Sequence, residues 1–261
     1  MKNVSSKMVT LFFTLLYFSL SAPLMADQLT DQIATGKAQL IQAVSELDEV
    51  SMGKSLIHFE TLLKRKDKEW LIQLYLGYAK FRLGHFFSTI KKDDDQSVRY
   101  FDEALVHLDK SRRLNPSSAE PHILLSATYG SKINVSPWKG IFLGRRAEDE
   151  IRIALEMEPT NPRAWLHRGI AEYFTPDLFG GGKKAAMKSL QKSLELYKNE
   201  KNLSSEHLQW GEDEAHIWIG IIHKDWGEMK ASKASYDAAL ELNPKNRWLT
   251  GFRRNGRNGV R

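Results

Sequence analysis

Residues Ala215–Pro244 read AHIWIGIIHKDWGEMKASKASYDAALELNP and contain the clearest structural signal of the chain. Apolar residues recur at helical spacing on both sides of Gly227, which marks a turn. Small, large and small residues then precede Pro244 by 12, 8 and 5 positions: Ser232, Tyr236 and Ala239. A small residue lets a neighbouring helix approach closely, and a proline disfavours helical geometry in the residue before it. The stretch therefore predicts two closely packed helices.

The same spacing occurs elsewhere in the chain. Pro116 is preceded by Ala104, Leu108 and Ser111, and Pro159 by Ala147, Ile151 and Ala154. First-helix copies surround Gly77 and Gly169, and weaker second-helix copies occur at residues 55–62 and 186–193. The units end near residues 67, 116, 159, 198 and 244. The pattern predicts five helix pairs after the N-terminal segment.

These residues resemble the tetratricopeptide repeat family. Its pattern has an aromatic residue, Leu-Gly, a second aromatic residue, two small residues flanking a large one, and a closing proline. The resemblance implies an all-α fold: a right-handed superhelical array of about five antiparallel helix pairs, a TPR-like α-solenoid. The units exceed the 34 residues of the family because long insertions lie within the repeats, such as SKINVSPWKGIFLG at residues 131–144.

The N-terminus has the three parts of a secretory signal peptide. Lys2 and Lys7 precede an apolar run at residues 8–20, and small residues end at Ala26. We expect a signal peptide at 1–26, a degenerate helix pair at 27–67, the repeat array at 68–244 and a basic tail at 245–261. Retention of the first segment as a membrane anchor is the alternative. The expected location is the periplasm.

Composition excludes several classes of protein. The chain has no cysteine, so it has no thiol nucleophile, no disulfide and no lipoprotein anchor. Removing the two lysines of segment 1–26 leaves 36 basic against 32 acidic residues. This mild excess does not indicate nucleic-acid binding. Membrane contact is expected only through the arginine-rich tail, for which a solvated terminus is the alternative.

The stretch DLFGGGKKAAMKSL at residues 177–190 suggests a phosphate-binding loop, but it lacks the required spacing and the preceding strand. Glycines in a turn between two helices explain it better. A weaker hypothesis is an anion site at the start of the second helix. Its residues would be Gly181, Gly182, Lys183 and Lys184.

No group of residues indicates catalysis. His216 and His223 share a helix face but do not form a ligand set for a metal ion. No serine, histidine and acid occur in a catalytic arrangement. We therefore expect a protein that is not an enzyme and that has no cofactor and no metal site.

The family resemblance implies a concave groove lined by the first helix of each pair. Carried over from Gly77, Gly169 and Gly220, the groove residues are Leu74, Tyr78, Phe81, Arg82, Leu166, Ile170, Tyr173, Phe174, Ile217, Ile221, Lys224 and Asp225. Two functions fit this surface. An open groove would bind a segment of a protein or peptide partner as a scaffold. A groove closed by the insertions would hold a small ligand of a substrate-uptake system. If the insertions fill the groove, the twelve residues belong to the hydrophobic core instead.

Overall fold

The structure is a computed structural model that describes residues 28–200, 208–247 and 249. The predicted signal segment at 1–26 and most of the predicted basic tail lie outside these residues. Among the helices that are described, none is both long enough and apolar enough to span a membrane.

The described residues form ten α-helices and no strand, which confirms the all-α prediction. The helices are α1 (28–45), α2 (Glu49–Leu62), α3 (Glu69–Phe86), α4 (Asp94–Leu114), α5 (Glu120–Val135), α6 (Gly140–Met157), α7 (Pro162–Phe174), α8 (Lys183–Tyr197), α9 (Glu212–Asp225) and α10 (Met229–Leu242). A π-helical turn at Phe87–Lys91 follows α3, and 3-10 turns occupy Pro137–Lys139 and Asp177–Phe179.

Consecutive helices pack as five pairs, and glycines allow their close approach. A methyl group at Gly77 of α3 would stand 2.5 Å from Cδ2 of Leu108 in α4. The same relationship joins Gly220 of α9 to the ring of Tyr236 in α10. The large residue of the sequence pattern therefore fills the space left by the glycine.

The small residues of the pattern have a second role where they are serines. The hydroxyl of Ser111 in α4 donates to the carbonyl oxygen of Trp70 over 2.7 Å. The hydroxyls of Ser193 and Ser232 donate to the carbonyl oxygens of Pro162 and Gly220, both over 2.8 Å. Each bond joins the second helix of a pair to the backbone of its first helix, which fixes their distance.

The extra residues within the repeats lengthen helices instead of forming long loops. Helix α4 has 21 residues and α3 has 18, whereas α9 and α10 have 14 each. Helix α3 lies at the centre of the molecule and is buried on all sides between Leu71 and Phe81. A helix that is apolar all round is expected in such a position.

Candidate functional site

The first and last helix pairs contact each other. Asn243, after α10, donates from Nδ2 to Oγ of Ser45 at the end of α1 over 2.9 Å. Nζ of Lys245 lies 2.9 Å from Oε1 of Glu46, and Arg247 donates to the carbonyl oxygen of Glu46 over 3.2 Å. These contacts join the two ends of the array across its concave face, whereas each repeat of a simple solenoid contacts only its neighbours.

The closure leaves a cavity of about 1170 Å³. Its walls come from α1, α3, α9, residues 209–211 and residues 242–246. The aromatic residues of its lining include Tyr78, Phe86, Tyr197, Trp210 and Trp218. Cavities that are mainly apolar and have a few placed polar groups are typical of ligand sites.

Arg82 is the central charged group of the lining. Its guanidinium forms an ion pair with Glu214 of α9. It also lies 5.0 Å from the ring centre of Tyr78 and 5.1 Å from that of Trp210, which allows cation–π attraction. Burial raises the pKa of Glu214, and it raises the pKa of Tyr78 to about 12. The cation is thus held between two aromatic faces beside the cavity.

Three polar atoms near Arg82 have no hydrogen-bond partner in the described part of the protein. They are Nε of Arg82, Nε1 of Trp210 and Nε2 of His167. The rings of His167 and Trp210 are 5.3 Å apart. Burial lowers the pKa of His167 to about 3, so this imidazole stays neutral at neutral pH. Native proteins leave few buried polar groups unpaired, and three in one place set this region apart from the rest of the core.

The structure separates the twelve predicted groove residues into three groups. Tyr78, Arg82, Ile217 and Ile221 line the cavity. Leu74, Phe81 and Leu166 are buried in the apolar core, against which Ile170 and Tyr173 also pack. The exposed members are Phe174, Lys224 and Asp225.

Asp225 belongs to a separate polar group with Tyr173 and Lys183. The hydroxyl of Tyr173 donates to Oδ2 of Asp225 over 2.8 Å, and Nζ of Lys183 lies 3.0 Å from the same carboxylate. These bonds lower the pKa of Asp225. They join α7 and α8 to the end of α9, outside the lining of the cavity.

Two of the amides in the anion-site hypothesis, those of Gly181 and Gly182, are engaged within the turn. The N–H of Gly182 is 2.8 Å from the carbonyl oxygens of both Glu172 and Thr175, and that of Gly181 donates to Pro176 over 3.3 Å. Gly182 has a φ of +93°, a conformation that favours glycine. Lys183 pairs with Asp225, whereas Lys184 is exposed. The geometry matches the turn interpretation of these glycines.

Sequence reasoning missed two walls of the cavity. Helix α1 contributes Lys37, Ala38, Ile41 and Gln42, and the segment before α9 contributes Trp210. Helix α1 lacks the repeat pattern, so no family position could be carried over to it. The insertion NEKNLSSEHLQW, residues 199–210, was visible in the sequence and ends in this wall.

Comparison with known protein families identifies the last of the repeats. The family model described as tetratricopeptide repeat matches residues 213–246. No curated protein sequence matches significantly.

Two solved structures have similar folds. The HusA haemophore from Porphyromonas gingivalis has 22% identity and a TM-score of 0.64, over 74% of this chain and 92% of its own. TTC0263, a thermophilic TPR protein of Thermus thermophilus, has 19% identity and a TM-score of 0.57, over 82% of this chain and 95% of its own. At these identities the likeness concerns the fold.

Proposed function

We propose that this tetratricopeptide-repeat protein is a non-catalytic binding protein that holds a compact ligand in the cavity. The observation that carries this proposal is the contact between the ends of the array, from Ser45 to Asn243 and from Glu46 to Lys245. An extended peptide needs a groove that is open along the array. A pocket that is bounded by these end-to-end contacts favours a compact ligand.

The lining indicates the chemistry of the ligand. Tyr78, Phe86, Trp210 and Trp218 offer flat apolar surfaces, and Arg82 supplies a cation beside them. A volume of about 1170 Å³ suits a ligand at the large end of the usual range for small molecules, about 300–1,000 Å³. A flat, largely apolar molecule fits this aromatic part of the lining, where the cation of Arg82 is paired with Glu214. The similar structure of a haemophore makes haemin the first probe to use.

The test is a titration of the purified chain with haemin, followed by absorbance and tryptophan fluorescence. Ala38 is exposed and lines the cavity from α1, so Ala38→Trp fills the site without entering the core. Gln39→Trp is the matched control, because Gln39 is exposed and lies outside the lining. We expect one haemin per chain, at least about tenfold weaker binding in A38W, and unchanged binding in Q39W. Equal binding by both variants, or none by the original chain, contradicts the use of haemin as ligand.

A second candidate is a partner segment whose cationic end enters the same cavity. Glu200, Glu212, Asp213 and Glu214 all line it. Glu200 and Glu214 are paired with Arg163 and Arg82, so Glu212 and Asp213 are the acids that are complementary to a basic peptide end. Native mass spectrometry of the protein from its own source distinguishes the two. A small molecule at one per chain supports the first candidate. A co-purifying protein that A38W releases, but Q39W retains, supports the second.

We also propose export to the periplasm. The apolar run at 8–20 and the small residues ending at Ala26 support this proposal. N-terminal sequencing of the protein from its host gives the test. A chain that starts at Asp27 fits cleavage, and one that starts at Met1 contradicts it.

A further inference from the structure

Exposed aromatic side chains are concentrated in one part of the molecule. In the described residues, five aromatic side chains are exposed, and all lie at or beside turns that join the first helix of a pair to its second. They are Trp138 (79% exposed), Phe142 (77%), Phe174 (56%), Phe179 (75%) and Trp226 (40%). Leu178 and Met229 add aliphatic surface at the same turns. The other exposed large apolar residues are aliphatic.

These turns lie side by side because neighbouring first helices run in the same direction. Ser131 at the end of α5 lies 3.0 Å, from Oγ to Nε2, from His85 at the end of α3. Tyr173 at the end of α7 donates to Asp225 at the end of α9 over 2.8 Å. The C-terminal ends of the first helices therefore form one border of the array. We call the turns at residues 136–146, 174–184 and 226–230 the turn edge.

The turn edge also carries cations that no acid neutralises. Arg145, Lys184 and Lys230 are exposed, and none has an acid partner in the described part of the chain. Among the neighbouring acids, Asp225 pairs with Lys183 and Glu228 with His223, whereas Asp177 is exposed and forms no ion pair within the described residues. The unpaired charge among the exposed aromatic residues is therefore mainly positive.

We propose that the turn edge docks on an anionic lipid surface. Apolar side chains that are exposed together along one border indicate an interaction site. Tryptophan and phenylalanine are favoured at the boundary between lipid headgroups and acyl chains, and neighbouring lysine and arginine are attracted to anionic headgroups. Separate turns that each present two or three exposed apolar side chains suit shallow insertion. The surface is distinct from the cavity and from the basic tail, so it would orient the cavity relative to a membrane.

The test is co-sedimentation of the full chain with vesicles of phosphatidylcholine, with and without phosphatidylglycerol. Leu178→Ser with Phe179→Ser removes apolar surface from a turn without disturbing a helix. Ile57→Ser with Val106→Ser is the matched control, because these side chains are 61% and 68% exposed elsewhere. A second set replaces Lys184 and Lys230 by Gln, with Lys64→Gln as its control; Lys64 is exposed at the end of the α2 pair, away from the turn edge.

We expect binding that requires phosphatidylglycerol and that weakens at least about tenfold on loss of two inserted apolar side chains. The lysine variants should weaken binding and reduce its dependence on salt. Both controls should bind like the original chain. Equal binding by the edge variants would assign the membrane contact to the tail and overturn the proposal. Absence of vesicle binding would also overturn it. If the edge variants lost binding to a protein partner instead, the turn edge would be a protein-binding surface.

Discussion

Nδ2 of Asn243 donates to Oγ of Ser45 over 2.9 Å and also to Oδ2 of Asp213 over 2.9 Å. One amide therefore joins the end of the last helix pair to both α1 and α9. Replacement by alanine leaves two acceptors without this donor. We expect Asn243→Ala to lower the free energy of unfolding by about 1–2 kcal/mol, measured by urea denaturation. Asn199→Ala is the control, since Asn199 makes one exposed local bond of 3.3 Å. Equal effects would show that the closure adds no stability.

Gly77 is a sensitive position because Leu108 occupies the space of a side chain. A methyl group there would stand 2.5 Å from Cδ2 and 2.6 Å from Cγ of Leu108. We expect Gly77→Ala to destabilise the protein by about 1–3 kcal/mol. Gly53 in α2 has no atom within 4 Å of such a methyl group. Gly53→Ala should stabilise the protein by about 0.5–1 kcal/mol, and thermal unfolding of both variants checks the opposite signs.

Arg163 of α7 joins α5 to the segment that follows α8 through a buried cation. Its Nε lies 2.6 Å from Oε1 of Glu120, and its Nη2 lies 2.6 Å from Oε1 of Glu200. Removal of the cation leaves two largely buried carboxylates together. Arg163→Met should therefore lower the free energy of unfolding by about 3–5 kcal/mol, measured by urea denaturation. Arg152, in an exposed pair with Glu156, gives the control Arg152→Met, for which little change is expected. Comparable losses in the two variants would contradict this interpretation.

His167 predicts a loss of stability in acid. Burial lowers its pKa from 6.5 to about 3, so below pH 6.5 the unfolded chain binds a proton that the folded chain does not. Stability from this residue is complete above pH 6.5 and declines as the pH falls toward 3. The slope is about 1.4 kcal/mol per pH unit for one proton. The unfolding free energy of His167→Gln, measured between these limits, should fall less steeply than that of the original chain. An identical slope would contradict the prediction.

Phe81 and Phe174 separate core from surface among the predicted groove residues. Phe81 is 3% exposed, and Phe174 is 56% exposed. Phe81→Ala should lower stability by about 3–5 kcal/mol because it leaves a cavity in the core. Phe174→Ala should change it by no more than about 0.5 kcal/mol. If Phe81→Ala changed the free energy of unfolding as little as Phe174→Ala does, the placement of Phe81 in the core would be contradicted.

The repeat pattern could be recognised in the sequence because its residues contact each other within one helix pair. The glycine at 220 and the tyrosine at 236 predict each other's position, since one fills the space that the other leaves. The contacts between the two ends of the array could not be predicted in this way. Ser45, Glu46 and Lys245 show no periodic relationship, and their contacts depend on how small rotations add up over five pairs. Predicted groove positions therefore lie partly in the cavity, partly in the core and partly on the exposed surface.

The contact between Ser45 and Asn243 also affects how the chain folds. Solenoids gain most of their stability between neighbouring repeats, so they can fold from any point and fray from either end. Here a bond spans 198 positions and another, from Lys37 to Gln209, spans 172. Long-range contacts slow folding because distant segments must meet before they gain stability. The cavity therefore forms late, once residues up to Asn246 have been synthesised and α1 has stayed available to meet them.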